Sequence, residues 1–381
     1  MTSFRFSRFL RVLAAMAALL DFCAWGQPKI INNTLPQAIP RRASIIFIQC
    51  NGLGYGDLSC YGQTNYETPN LDKLAAEGIR FTNYFAADSA PVTQAALMAG
   101  KEYSHAQREV PLAPESVTVA QVLKMAGYRT GFIGDWDLGD ESSSSAPWKK
   151  GFDEFAGFMN EKDFSNFYAD HIFRYVPRTL ADPQDRAAHW VGNEELYYNT
   201  GGKHDTYIPD LLAKAAVNFV KDNVPDSFNH HRPFFLMVDY TLPDGNAKVP
   251  SDAPFSEEAW PQPEKNRAAL ISRIDDSIGQ LRQQLATNQM SNNVLIFFAS
   301  ASIPRKSAEM DPAFFHSNLA TNDFRVPMIV HWPEHIDAGQ VSDFKWSAAD
   351  FLPTAVEIGY APSPAGVEGA SILPELGGKR Q

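Results

Sequence analysis

Two hydrophobic patterns alternate along most of the chain, and together they indicate an α/β protein. Short, mostly apolar runs are typical of strands buried on both faces, and they occur at residues 45–48, 129–133, 233–239, 294–298 and 327–330. Apolar positions at helical spacing predict helices, which fall at residues 71–77, 117–125, 210–220, 268–285 and 348–358. This alternation predicts a mostly parallel central sheet with helices on both faces.

Other stretches give weaker signals. Residues 79–85 alternate as a strand does, and residues 95–98 are a short apolar helical piece that ends at Gly100. Asn70 is predicted to cap the helix at 71–77. Residues 160–203 are polar and aromatic without a clear period, so we expect an irregular excursion over the face that carries the site.

Composition limits the classes of partner. Hydrophobic residues make up 44% of the chain and charged residues 20%, as in an ordinary globular protein. The net charge of −11 argues against nucleic acid as a partner. It also does not favour a large anionic polymer, unless a local basic patch exists.

The N-terminus has the pattern of an export signal. Residues 1–26 combine a basic start with the apolar run 12–20 and a small-residue cleavage site. The apolar run is too short to span a membrane. We therefore predict a signal peptide at 1–26, an irregular lead-in at 27–42, one main domain at 43–381, and a periplasmic or extracellular protein.

Two cysteines remain after the predicted cleavage. Cys50 ends a strand and Cys60 lies across a loop, and a disulfide between them is conceivable in an oxidising compartment. Their separation cannot be judged from sequence. Two free, buried thiols are the preferred interpretation.

The most informative motif is IIFIQCNGLGYGDLSCYG at residues 45–62, a buried strand that leads into a glycine-rich loop. With TPNLDKLAAEG after it, the segment resembles the opening of the sulfatase family, within the alkaline-phosphatase-like superfamily. Further landmarks follow in the family's order: AALMAGK, AGYRTGFIGDWDLG, GFDEFAGF, FFLMVDYTLPD, VLIFFAS, FRVPMIVHWP and DFLPTAVEIGYAP. The resemblance runs from residue 44 to about 376 and implies the family's α/β fold. The family's smaller C-terminal subdomain is expected to be missing.

The resemblance also implies where the nucleophile should be. Family members hydrolyse sulfate esters with a formylglycine made from Cys or Ser in a C-x-P-S-R segment. That segment is matched here by residues 90–94, with Ala90 at the nucleophile position and Gln94 at the arginine position. Alanine cannot be oxidised to formylglycine, and Ser89 is one residue out of register.

The calcium positions of the family are changed as well. Its first aspartate pair is matched by Asn51 and Gly52, and its late Asp-Asn pair by Ala301 and Ser302. Calcium takes six or more oxygen ligands, several of them carboxylates. We therefore predict that these metal positions have lost their ligands and that no cofactor is bound.

The cations that face sulfate in the family are mostly replaced by carboxylates. Lys and His of GKWHLG correspond to Asp135 and Asp137, and the His of APH corresponds to Asp244. His316 stands at the late Lys position and is charged only at mildly acid pH. If the three carboxylates converge as the family geometry implies, they repel a sulfate dianion.

Several other residues are weighed for supporting roles. Four residues are candidates to line a substrate site: Ser89, Thr93, Lys101 and His105. His105 falls where similar sulfatases often have a histidine near the pocket. Asp57 is expected to fix the GYGD loop rather than to bind metal. Trp136 is expected to pack under its turn.

Four functional interpretations stay open. The leading one is a sulfatase-like pseudoenzyme that binds a sulfated carbohydrate or a protein partner. In the second, Asp135, Asp137 and Asp244 form a new cation site for a metal or an amine. The third is an active or weak sulfatase acting on aryl sulfates or sulfated glycans. The fourth is a metal-dependent, phosphatase-like hydrolase with Ser89 or Thr93 as nucleophile.

Overall fold

The apolar runs form the strands of one mixed sheet. The computed structural model describes residues 42–87, 89–103, 112–160, 167–176, 192–243, 248–304 and 324–377. The predicted signal peptide and nearly all of the lead-in lie outside this range, as do Asp244, His316 and His105.

Eleven strands make up the sheet of the described residues. In chain order they are β1 Ser44–Asn51, β2 Ile79–Phe85, β3 Arg129–Asp135, β4 Glu154–Phe158, β5 His171–Val176, β6 Gly192–Tyr197, β7 Phe234–Thr241, β8 Val294–Ser300, β9 Arg325–His331, β10 Gln340–Ser342 and β11 Trp346–Ser347. The spatial order is β10-β2-β9-β8-β1-β7-β3-β4-β5-β6, and β11 pairs with β2.

The centre of the sheet is parallel, as predicted. Strand β1 lies parallel to both β7 and β8, and β3 lies parallel to β7 and β4. Strand β9 runs antiparallel between β8 and β2, and β5 and β6 are antiparallel additions at one side. The carboxyl ends of β1, β2, β3, β7 and β8 therefore meet at one edge, where α/β proteins bind ligands.

Helices cover both faces. They are α1 Pro69–Ala76, α2 Ala90–Ala99, α3 Val119–Met125, α4 Ile208–Asp222, α5 Gln262–Thr287 and α6 Phe351–Ile358. Side chains of β1 alternate between two cores, so Ile45 and Phe47 pack with α2, α3 and α6. Ile46 and Ile48 pack with α1, α4 and α5 on the other face. Nothing in the described part of the chain is a helix both long and apolar enough to cross a membrane.

The structure corrects three details of the prediction. Residues 160–203 are not wholly irregular, because β5 and β6 lie within them. The N-cap of α1 is Thr68, with Pro69 in the first turn, and Asn70 instead bonds through its side chain to Asp275 at 2.9 Å. Helix α2 begins at Ala90 rather than at residue 95, since Pro91 suits a first helical turn and the polar residues 93–94 do not interrupt it.

Both remaining cysteines are free. Cys50 is buried at the end of β1 and Cys60 is partly buried. Burial is the main reason that the pKa of each thiol lies above its ordinary value, so neither is a ready nucleophile.

Candidate functional site

The four positions matched to the family's calcium ligands lie together at the carboxyl ends of β1 and β8. The Gly52 amide donates to Ser302 Oγ at 3.0 Å, and the Ala301 amide donates to the Cys50 carbonyl at 3.1 Å. The Asn51 Nδ2 donates to Thr241 Oγ1 at 3.3 Å. The alternation of strands and loops brings these positions together even though their side chains have changed.

The donors at this place do not fit calcium. Asn51 Oδ1 is buried and accepts no hydrogen bond in the described structure, but it is a single amide oxygen. Ser302 Oγ already accepts from Gly52, and Ala301 has no donor atom beyond its backbone. Within the described ranges, no group of three or more His, Cys, Asp or Glu residues could hold a metal ion. The described residues at this place therefore do not supply the six or more oxygens that a calcium ion needs.

A buried polar network lies beside this place. Gln94 on α2 donates through Nε2 to the Trp136 carbonyl, and its Oε1 accepts from Gln49 Nε2 at 3.4 Å. Gln49 Nε2 also donates to Asp239 Oδ2 at 2.8 Å. We call Gln49, Gln94 and Asp239 the glutamine–aspartate network. It joins β1, α2 and β7, and its members are at most 3% exposed.

Gln49 and Asp239 are the members that the sequence does not indicate as candidates. Asp239 is the final residue of the apolar run at residues 233–239, a pattern that indicates only a buried strand. Burial raises the pKa of the Asp239 carboxyl well above its ordinary value, and the hydrogen bond from Gln49 opposes the rise while the negative Asp137 adds to it. Its Oδ1 has no hydrogen-bond partner in the described structure. The neutral acid is therefore favoured in the fold.

The first turn of α2 contains the residues matched to the nucleophile segment. Ala90 is the first helical residue and Ser89 is its N-cap by position. Thr93 Oγ1 donates to the Ser89 carbonyl at 3.2 Å and accepts from the Ala87 amide at 2.8 Å. The Thr93 hydroxyl therefore holds the approach to the helix in place, and its one proton is engaged.

Two of the three predicted carboxylates lie near the network. Asp135 ends β3 and is 3% exposed, whereas Asp137 is half-buried with a φ of +46°. Asp135 and Asp239 line a small cavity of about 30 Å³, otherwise walled largely by apolar side chains such as Phe158, Leu212 and Leu270. That volume suits roughly two water molecules. The predicted convergence with Asp244 falls outside the described residues.

The glycine-rich loop after β1 is held by a buried ion pair. Arg267 on α5 donates to Asp57 Oδ2 at 2.7 Å and to the Gly52 carbonyl at 2.7 Å. The Gly54 amide donates to the same Asp57 oxygen at 2.7 Å. Asp57 is fully buried and Arg267 is 3% exposed, so the expectation that Asp57 fixes this loop is confirmed.

Trp136 and Lys101 have simpler surroundings. Trp136 is fully buried and donates through Nε1 to the Ser145 carbonyl at 2.9 Å, which confirms that it packs under its turn. Lys101 is half-buried just after α2.

This fold, with these positions gathered at the carboxyl edge, matches a known class of protein. The family model described as Sulfatase matches residues 43–359. The chain therefore belongs to the sulfatase family, as the sequence motifs predicted.

Proteins of similar sequence are themselves named as sulfatases. Human N-acetylgalactosamine-6-sulfatase is 30% identical over 372 residues, covering 88% of this chain and 66% of that protein. Human arylsulfatase A is 28% identical over 360 residues, covering 89% of this chain and 68% of that protein. The chain thus spans about two thirds of the length of these relatives.

Solved structures confirm the fold. The crystal structure of Ps i-CgsB is similar with a TM-score of 0.69 and 27% identity, covering 88% of this chain and 76% of that chain. Ps i-CgsB in complex with k-i-k-neocarrahexaose gives a TM-score of 0.67 and 26% identity, covering 87% of this chain and 76% of that chain.

Proposed function

We propose that this protein is a non-hydrolytic member of the sulfatase family that binds a carbohydrate outside the cytoplasm. The observation that carries the proposal is the glutamine–aspartate network. Gln94 stands where the family's arginine is expected, and its amide is tied to Trp136 and Gln49 rather than presented to an anion. Ala90, at the nucleophile position, offers only a methyl group.

Electrostatics supports the same proposal. Hydrolysis of a sulfate ester needs cations or preorganised donors where negative charge develops. Arg267 approaches the glycine-rich loop, but it is paired with the buried Asp57. Asp135 and Asp137 instead place carboxyl groups beside the network. A dianion at this place would meet the carboxyl groups of Asp135 and Asp137, while Gln49 and Gln94 carry no positive charge to compensate.

A carbohydrate is preferred over a protein partner because of the relatives. One is named for the 6-sulfate of N-acetylgalactosamine, and another is described in complex with neocarrahexaose. Loss of the catalytic groups does not require loss of sugar recognition. The export signal predicted at residues 1–26 supports a location where extracellular glycans are found.

Two rival functions receive less support. A weak sulfatase would need a nucleophile other than Ala90. In a phosphatase with Thr93 as nucleophile, the Thr93 hydroxyl would have to release its proton to a base, but that proton is donated to the Ser89 carbonyl. The reaction would also need bound metals, and no group of three or more metal-ligating side chains occurs among the described residues. The cation site of Asp135, Asp137 and Asp244 remains a prediction, and the apolar walls of the adjacent cavity do not favour a metal there.

The experiment that tests the loss of hydrolysis measures sulfate release. Full-length protein is incubated with N-acetylgalactosamine 6-sulfate and with an aryl sulfate, with and without added calcium, and free sulfate is quantified. A member of the family with intact catalytic residues serves as the positive control. The expected result is no sulfate release above the buffer blank, and release by the unmodified chain would overturn the proposal.

A further inference from the structure

A second and larger cavity lies at the carboxyl edge of the sheet, on the side of β2. Its volume is about 480 Å³, which falls within the range of small-molecule sites, roughly 300–1,000 Å³. Its described wall includes the end of β2, one side of α2, and the segment from Lys345 to Asp350. None of the residues matched to the family's nucleophile, cations or calcium ligands is in this wall.

Trp346, in the wall of the cavity, is closely packed against other aromatic rings. Trp346 is 3% exposed, and its ring packs against Tyr84 at 4.8 Å and Phe81 at 5.3 Å between centroids. The neighbouring wall residues Ala86, Ala96, Ala348 and Ala349 are buried and small, and their size leaves the space open. Such a preformed space costs a ligand little reorganisation.

The rim of the cavity carries two charged side chains, Glu102 as a hydrogen-bond acceptor and Lys345 as a donor, and they do not form an ion pair with each other. Glu102 is exposed, and its Oε1 accepts from Ser347 Oγ at 3.1 Å. Lys345 is exposed, and its Nζ lies 5.2 Å from the centroid of the Phe85 ring. In the part of the chain that the structure describes, no carboxylate lies within ion-pair distance of the Lys345 ammonium.

The second carboxylate of the wall is already satisfied. Asp350 Oδ2 accepts from the Ser347 amide at 2.8 Å, and its Oδ1 accepts from the Ala370 amide at 2.7 Å. These bonds hold the segment that carries Lys345 and Trp346 in place. Glu102 and Lys345 are therefore the two charged groups of this wall that remain able to bind a ligand.

We propose that this cavity binds an uncharged sugar unit. Neighbouring hydroxyls of a sugar ring would donate to Glu102 and accept from Lys345, and the apolar face of the ring would lie on Phe85. A strongly anionic ligand is disfavoured by Glu102 at the rim and by the protein's net charge of −11. An apolar ligand would leave both rim charges desolvated and unpaired.

This inference deepens the proposed function and rests on it, because it names the place where a carbohydrate is recognised. It separates recognition from Gln94, Asp135 and Asp137, the described positions matched to the family's cations, which lie in or beside the glutamine–aspartate network. Gln94 and Thr93 are adjacent on α2, yet Gln94 faces the network and Thr93 contributes to the wall of this cavity.

The test is a ligand-observed NMR titration of the full chain with N-acetylgalactosamine, compared with its 6-sulfate at matched ionic strength. Lys345→Met keeps the length of the side chain and removes its charge, and Glu102→Gln keeps the shape of its side chain. Lys203→Met and Glu257→Gln are matched controls at exposed positions elsewhere. Hydrogen bonds to charged groups contribute about 1.5–3 kcal/mol, so each rim variant should weaken binding about tenfold or more, and the controls should not.

Each outcome decides the inference. Saturable binding of the uncharged sugar that weakens only in the rim variants supports it. No binding of the uncharged sugar overturns it, as does binding that is equal in rim and control variants. Binding of the 6-sulfate alone also overturns it. Sulfate release in the same tubes would instead overturn the proposed loss of hydrolysis, so failure of the two proposals can be told apart.

Discussion

Gln49 Nε2 donates to Asp239 Oδ2 at 2.8 Å between two residues that are register partners on the parallel strands β1 and β7. The amide and the carboxyl are both buried at the carboxyl edge of the sheet, next to Gln94. Hydrogen bonds are electrostatically stronger in the low dielectric of a protein interior than in water. The pair therefore makes Gln94 part of the protein interior rather than part of a surface for an anion.

Asp239 should make stability depend on pH. Its pKa is raised in the folded protein, mainly by burial, whereas an unfolded Asp titrates near 3.9. Above about pH 4 the unfolded state loses this proton first, so the free energy of unfolding falls as the pH rises toward the folded pKa. Asp239→Asn should abolish this contribution and be more stable than the unmodified protein at neutral pH.

Urea denaturation between pH 4 and pH 8 checks this expectation. The exposed Asp343→Asn provides the control, since its side chain lies at the surface. Parallel pH profiles for the unmodified protein and Asp239→Asn would show that Asp239 is not a buried, proton-holding acid.

The buried ion pair between Arg267 and Asp57 should dominate the stability of the glycine-rich loop. Arg267→Met leaves Asp57 buried without its partner, which typically costs about 3–5 kcal/mol. Arg273→Met, on the same helix α5, removes a pair with Asp210 in which both side chains are partly exposed, and such pairs contribute about 0–1 kcal/mol. Chemical denaturation of both variants compares the two sites directly, and equal losses would contradict the account of the loop.

Thr93 should be structural and not nucleophilic. Thr93→Val removes a bond from the Ala87 amide and a bond to the Ser89 carbonyl, and an unsatisfied buried group costs about 1–3 kcal/mol. We expect a lower melting temperature and no change in the hydrolysis of an aryl phosphate, which should be absent in both proteins. A Thr93→Val protein of full stability that has lost a measurable phosphatase activity would restore the phosphatase interpretation.

Restoring the nucleophile alone should not restore catalysis. Ala90→Cys, co-expressed with a formylglycine-generating enzyme, still lacks the arginine at Gln94 and the carboxylate ligands at Asn51 and Gly52. Val92 also replaces the proline of the maturation segment. Mass spectrometry reports the oxidation of residue 90, and an aryl sulfate assay reports turnover. Turnover by a formylglycine-containing Ala90 variant would show that the other substitutions matter little.

Much of this architecture could be predicted from the sequence because it depends on local pattern. The apolar run at residues 294–298 became β8, and the motif order placed Asn51, Gly52, Ala301 and Ser302 at one edge. The start of α2 was missed because Thr93 and Gln94 break its apolar pattern, although both are buried. Strands β5 and β6 were missed because an antiparallel pair at the side of the sheet needs no long apolar run.

The glutamine–aspartate network could not be predicted in the same way. Gln49 and Gln94 are 45 positions apart, and Gln49 and Asp239 are 190 positions apart. A motif compares one position at a time, so at position 94 it shows only that Gln94 replaces the family's arginine. The partnership of Gln94 with Gln49 follows from strand register and helix placement, which only the folded chain shows.

We propose that the substitutions at the nucleophile and calcium positions have ended calcium-dependent hydrolysis. Calorimetric titration of the purified full chain with calcium, paired with an aryl sulfate hydrolysis assay on the same preparation, tests this most directly. We expect no calcium binding at the edge formed by β1 and β8, and no hydrolysis of the aryl sulfate. Calcium binding that is lost in an Asn51→Ala variant, together with turnover, would contradict it.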